Sequence, residues 1–523
     1  MPSLSAFEIL GPIMVGPSSS HTAGALRLAR VAASLCPARV LRVRFTLYNS
    51  FAHTYRGHGT DRALVAGILG FETDDERIRD AFAHAEAAGL AWSFAVGGDD
   101  ARLHPNTVDI AMEDARGIEV EVRGESLGGG RVRVSRINGV DVDISGEYDT
   151  LFVAHRDEPG VLAALTVLLS ERHINIAFMR TYRTERGGRA YTVFELDELP
   201  PEDLLGELEC RSSIYTATYV RVPGAGPAAV VAAADEFFDT GAELLARCRA
   251  HGMSIGAVMA VREAQLGGER ETVARMARVL RVMREETTEP IVSPQRSLGG
   301  LIGGEAQLAA HAGTALTAAL MGEVQTRAVA YALAVLERSA TMGVIVAAPT
   351  AGSAGVVPGS VLAVAEHRGF DDHQVMDALF TAAAVGMLLT QNACVAGAEG
   401  GCQAEVGSAA AMAAAALVEM LGGEPETALA AASLALSNLL GLVCDPVGGL
   451  VEVPCQTRNA IGVAAAFSAA QLALSGVEPL VPFDEMARVM LEVGRALPAS
   501  LRETARGGVA TAPSACAACA GCR

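Results

Sequence analysis

Gly397-Ala398-Glu399-Gly400-Gly401-Cys402-Gln403-Ala404-Glu405-Val406-Gly407 runs directly into an alanine-rich helical stretch over 408–417. Glycines on either side of a cysteine let backbone approach a large ligand closely; the competing reading of Cys402 is a small buried hydrophobe. Helical patterning spreads outward from this point over 228–249, 271–284, 315–339, 372–389, 408–421, 426–440, 460–474 and 484–497. Residues 223–523 are therefore expected to form a large all-α domain. Two glycine-rich joints interrupt it, at 297–304 and 347–355, the second containing Thr350, Gly352 and Ser353. Neither is followed by the lysine of a phosphate loop. They read as backbone amides lining a substrate pocket, or as points of tight helix packing.

Upstream, Pro223-Gly224-Ala225-Gly226-Pro227 is a linker by composition. Residues 148–222 read as strand, helix, strand, strand, helix, strand, the split arrangement of ferredoxin-like domains. Residues 1–147 read as a small α+β lobe, whose section from about 90 to 147 alternates with period two.

The chain has 523 residues, half of them apolar, and a formal charge of −19. That balance repels a phosphate backbone, so no nucleic-acid partner is expected. All 41 basic residues are arginine. Without lysine there is no internal Schiff base for pyridoxal phosphate. The first eight residues lack the charged and apolar regions of a signal peptide, and the long apolar runs read as buried helices. A cytoplasmic protein without membrane spans is expected, with thiols used for metal binding or catalysis rather than disulfides.

Two N-terminal loops gather polar residues at helix starts. Ser18, Ser19, Ser20, His21 and Thr22 offer hydroxyls, an imidazole and the positive end of a helix dipole to a carboxylate; ordinary capping is the alternative. Gly57-His58-Gly59-Thr60-Asp61 opens the next helix. At the other end, Cys402, Cys444 and Cys455 sit in polar or glycine-rich joints, and Cys516, Cys519 and Cys522 form the tail. Three separated thiolates can leave one iron of a 4Fe-4S cluster open, whereas structural zinc prefers four ligands. Cys36, Cys210 and Cys248 read as structural.

With Asp157-Glu158-Pro159-Gly160 at its first turn, 148–222 resembles the ACT family of amino-acid-sensing domains. The 397–407 stretch, Cys444-Asp445-Pro446-Val447-Gly448-Gly449 and the loops at 16–24, 57–61, 293–304 and 347–355 resemble the bacterial iron-sulfur L-serine dehydratases over almost the whole chain. The resemblance implies an L-serine ammonia-lyase with a 4Fe-4S cluster on Cys402, Cys444 and Cys455. It also implies an amino-acid effector at the ACT domain, a homodimer, and a cysteine near the C-terminus that reaches the cluster at rest. Cys516 fits that role by register, with Cys522 as the alternative. The expected substrate residues are Ser18, Ser19, Ser20, Thr22, Thr60, Asp61, Thr350, Gly352 and Ser353, with His21 or His58 handling protons. Many relatives carry a second histidine where this chain has Gly59. The competing function is an amino-acid-sensing regulatory protein with a structural metal site, which would bind serine without forming pyruvate.

Overall fold

The computed structural model describes residues 4–518, except 129, 145–148, 184, 198–199, 202, 221–236 and 312–314. The expected boundaries at 147/148 and 222/223, the linker 223–227, Cys519 and Cys522 lie outside them.

The architecture is multidomain: a sheet-rich N-terminal region, an ACT-type domain and a helical C-terminal region. The first sheet has six strands in the order Ala91–Gly98, Val40–Tyr48, Thr107–Asp114, Glu119–Gly128, Arg131–Ile137, Val140–Ile144. Only Val40–Tyr48 with Ala91–Gly98 is a parallel pair. The crossover between them carries Asn49–Thr54 and Thr60–Ile68, which places the 57–61 loop at one end of the sheet. Helix Ala25–Ser34 buries Leu26, Leu28, Ala29, Val31 and Ala32 in this core. In the loop before Thr107, His104 Nδ1 accepts the Asn106 N–H at 3.2 Å.

The second sheet is antiparallel, in the order Ile214–Val220, Asp149–Arg156, Arg189–Leu196, Ile176–Arg183. Helices Val161–Glu171 and Asp203–Glu209 bury Leu165, Leu168, Leu169, Leu204 and Leu208 with it. First and third strands in the middle are the ferredoxin-like arrangement expected from the βαββαβ pattern.

In the helical region, Ser408–Met420 is buried without a break from Ser408 to Val418. A helix with no solvent face is a core helix, and its alanines let four neighbours approach closely. Those neighbours are Asp372–Asn392, Pro425–Asn438, Cys455–Leu474 and Val356–Arg368. Asp372–Asn392 is long and apolar enough to cross a membrane, but most of it is buried inside this core. The helix expected over 228–249 is described from Gly241 to His251. Ile255–Gly267 and Val356–Arg368 are further helices, ones whose periodicity the alanine and glycine background conceals.

One short strand breaks the helical pattern. Val344–Val346 pairs antiparallel with Ile13–Val15 and ties the chain start to the helical core, just before the 16–24 loop on one side and 347–355 on the other. Glu286 holds this strand, its Oε2 accepting the Val346 N–H at 2.7 Å. Complete burial pushes the Glu286 carboxyl well above its ordinary 4.5. The unfolded chain releases this proton at lower pH than the folded one. The group therefore favours the fold in acid, and that advantage is lost as pH rises from 4.5 toward the raised native value. Glu286→Gln keeps the acceptor and removes the ionisation. Its denaturation midpoint should gain on the wild type as pH rises through this window, with a slope of up to about 1.4 kcal/mol per pH unit; parallel pH profiles for the two proteins would show the assignment to be wrong.

Candidate active site

Two widened, π-type helical turns build the site. Each precedes a longer helix: Ser19–Gly24 leads into Ala25–Ser34 and Gln403–Gly407 into Ser408–Met420. Such turns enlarge the helix locally and recur at functional sites. Ser18 caps the first, its Oγ accepting the His21 N–H at 3.1 Å.

His21 is fully buried at the centre of this end. Its Nδ1 lies 3.3 Å from Ser18 Oγ and 3.1 Å from Ser20 Oγ, and its Nε2 3.0 Å from Ser50 Oγ. The His58 ring stands edge-on to it, centroids 4.3 Å apart. Neither ring nitrogen of His58 has a hydrogen-bond partner among the described residues. Burial pushes His58 down to about 3 and holds His21 well below its usual range, where His58 and His104 push the same way. Both rings are therefore neutral near pH 7.

Around them, Thr22 donates to the His58 carbonyl at 2.7 Å. Thr60 Oγ1 is buried without a partner among the described residues. Burial raises the Asp61 carboxyl, which accepts the Arg62 N–H.

The cysteine joints converge from the helical side. Ligand atoms of Cys402, Glu405 and Cys444 all lie within 4.8 Å of one another. Cys455, at the start of Cys455–Leu474, is also buried. Contact with Cys402, and then burial, pushes the Cys444 thiol up; burial, followed by the charges of Cys402 and Glu405, does the same for Cys455. Arg458 reaches Cys402 Sγ at 3.5 Å, the Val443 carbonyl at 2.8 Å and Asp445 at 2.7 Å.

Thr350 meets this group, donating to Glu405 at 2.7 Å. Gly352 lies against the same carboxylate, where a Cβ would come within 2.9 Å of it. Ser353 is instead committed to its own turn, bonding the Ala348 carbonyl at 3.2 Å. The 297–304 joint is committed as well: its hydroxyl and amides surround Glu452, with Ser297 at 2.7 Å, Gly299 at 2.8 Å and Leu301 at 2.9 Å.

Cys516 is not in the group of Cys402, Glu405 and Cys444, although its helix Pro513–Ala518 packs against Val447–Gly449. It is exposed, with its Sγ 3.7 Å from the Ala510 carbonyl. Cys394 is buried beside Glu399 and does not join the group of Cys402 and Cys444.

Four residues complete the site beyond those the sequence singled out. Glu405 is pushed up to about 7 by burial, with Thr350 holding it down in part. Glu503 is buried, its Oε1 3.9 Å from His21 Nδ1, while its backbone N–H donates to the Cys444 carbonyl at 2.8 Å. It thus joins the histidine end to the cysteine end. Ser50 and Arg458 are the other two. Glu405 and Arg458 each lie three residues after a cysteine, a helical spacing that brings them to the same face; Ser50 and Glu503 carry no local signal.

Comparison with known proteins bears on this arrangement directly. Three families match in chain order: the serine dehydratase beta chain over residues 5–91, the ACT domain over 150–209 and the serine dehydratase alpha chain over 250–510. The L-serine dehydratase of Streptomyces coelicolor is 33% identical, over 97% of this chain and 98% of its own. The beta chain of the Peptoniphilus asaccharolyticus enzyme is 42% identical over its entire length and 42% of this chain. Its alpha chain is 54% identical over 36% of this chain and 65% of its own. The chain belongs to the L-serine dehydratase family.

Arg458 gives a stability test. Replacing it with Gln leaves Asp445, 2% exposed, without its cation. Arg458→Gln should cost roughly 3–5 kcal/mol, read as a lower denaturation midpoint in the metal-free chain; an unchanged midpoint would show that the pair does not support the joint.

Proposed function

We propose that this chain converts L-serine to pyruvate and ammonia, using a 4Fe-4S cluster held by Cys402, Cys444 and Cys455. The observation that carries the reading is the meeting of a neutral histidine pair with a buried thiol group, bridged by Glu503. Near-full-length similarity to proteins named L-serine dehydratase supports the substrate.

The donor set fits such a group. Burial and mutual contact keep the Cys444 and Cys455 thiols protonated, so an enclosed metal would both take up the thiolates and relieve their crowding. When bound, the cluster supplies a Lewis acid for the β-hydroxyl, a poor leaving group without one. A chain without lysine has no Schiff-base route to the same end.

The chain's own residues supply the rest. Ser18, Ser19, Ser20 and Thr22, with Thr60 and Asp61, hold the amino acid at the loop ends, and Thr350 and Gly352 close the other side. His21 or His58, neutral in this dry site, takes the Cα proton. Cys516 is the residue we assign to the cluster at rest, Cys522 being the alternative. An amino-acid effector at the ACT domain, a homodimer and a cytoplasmic setting complete the proposal.

Two measurements decide it. Anaerobically purified protein should contain iron and sulfide and form pyruvate from L-serine, and Cys402→Ser, Cys444→Ser and Cys455→Ser should each lose both; full iron content in any variant removes that ligand. His21→Ala and His58→Ala should keep the cluster's visible absorbance while at least one loses about 10²–10⁴-fold in turnover. Wild-type turnover in both would end the histidine assignment.

A further inference from the structure

The segment after helix Phe483–Ala496 turns back across the site as a strap. Cys444 N–H donates to the Leu501 carbonyl at 2.9 Å and Glu503 N–H to the Cys444 carbonyl at 2.8 Å. Beyond Glu503 the strap is tied to both regions. Arg506 meets Asp99 at 2.6 Å and His53 at 2.7 Å on the N-terminal side. On the helical side Val509 N–H donates to Asp445 at 2.7 Å, and Gly508, at φ +61°, lies where a Cβ would come within 2.1 Å of that carboxylate.

Between the Leu501 contact and Arg506, Glu503 has φ +57° and Ala505 φ +55°, a left-handed conformation unfavourable for residues with side chains. Its consequence is direction: the Glu503 carboxyl turns inward to His21 and is 7% exposed. Glu503 reaches one nitrogen of that ring directly and the other through Ser50. Its Oε1 is 3.9 Å from Nδ1, and its backbone carbonyl accepts the Ser50 hydroxyl, a long contact at 3.4 Å. A carbonyl only accepts, so Ser50 spends its one proton there. With that proton on the carbonyl, Ser50 Oγ, 3.0 Å from Nε2, is left to accept from the ring. In a neutral imidazole this puts the proton on Nε2 and leaves Nδ1 as the acceptor, facing Ser18, Ser20 and the Glu503 carboxyl.

We propose that Glu503 is the positioning residue of His21, selecting its Nε2–H tautomer through Ser50 and setting its carboxyl beside the Nδ1 that accepts a proton. The inference rests on the reading of His21 as a proton-transfer group. It adds that the base is Nδ1 and that the strap supplies its partner.

The test uses the full chain, with two arms. In the anaerobically loaded protein, Glu503→Gln should lower kcat for L-serine at least about tenfold with KM within about threefold and iron content unchanged. Glu503→Asp should restore part of kcat. In the metal-free chain, nitrogen-15 NMR of labelled histidines, with His21→Ala as the assignment control, should find His21 protonated on Nε2; Ser50→Ala should shift it toward the other tautomer. An unchanged kcat in Glu503→Gln, or a loss of iron alongside activity, overturns the proposal, the latter because the residue would merely support the cysteine joint. A wild-type ring protonated on Nδ1 overturns it too. If the wild-type chain does not act on serine, the function proposed above fails while the NMR arm still judges this one.

Discussion

Carboxylates spent on distant backbone amides, Glu337 and Glu452 buried and Glu419 and Asp484 half-buried, hold the helical region together. Glu419 accepts from Ile255 and Gly256 N–H, Glu337 from Gly304 and Ala306, Asp484 from Gly241 and Ala242, and Glu452 from Gly299 and Leu301. In three of these cases the amides belong to a helix start, where the orphan donors and the dipole both favour an anion. Ordinary caps come from a neighbouring residue; these come from another element. Each therefore fixes how two elements meet as well as where one begins. Alanine-rich helices have little side-chain surface with which to specify their register, so this polar stitching supplies specificity that apolar packing alone would leave weak.

The same burial that makes such caps effective shapes the site. His21, His58, Glu405, Glu503, Cys444 and Cys455 are all withdrawn from water, and desolvation moves each toward its neutral form. The joints that carry these groups are stiff, because Thr350 and Gly352 pack against Glu405 and the strap ties Cys444 and Asp445 to the N-terminal sheet.

Much of this was legible in the sequence where the signal was local. The period-two and helical patterns yielded the ferredoxin-like order and the alanine-rich helices, and the glycine-flanked Cys402 and the hydroxyl-rich turn before Ala25 marked the two ends of the site. Long-range pairing was not legible. Ser50 and Glu503 are 453 residues apart, and Glu452 serves amides about 150 residues upstream. No periodicity encodes such contacts, since each is one acidic residue among 60. The 297–304 joint shows the same limit: its glycines looked like a ligand pocket, and their amides serve the protein's own Glu452.

The absence of lysine links these observations. Arginine cannot give up its proton in a protein, so Arg458 beside Cys402 and Asp445 is a permanent charge whatever the dryness of its surroundings. A lysine there would offer a single ammonium in place of the planar fork that reaches Cys402, Asp445 and the Val443 carbonyl together. Arginine is thus the fixed cation beside histidines and carboxyls whose burial favours their neutral forms. In the reaction proposed above, charge and proton transfer would fall to different residues, the guanidinium beside the thiols and the neutral pair His21 and His58.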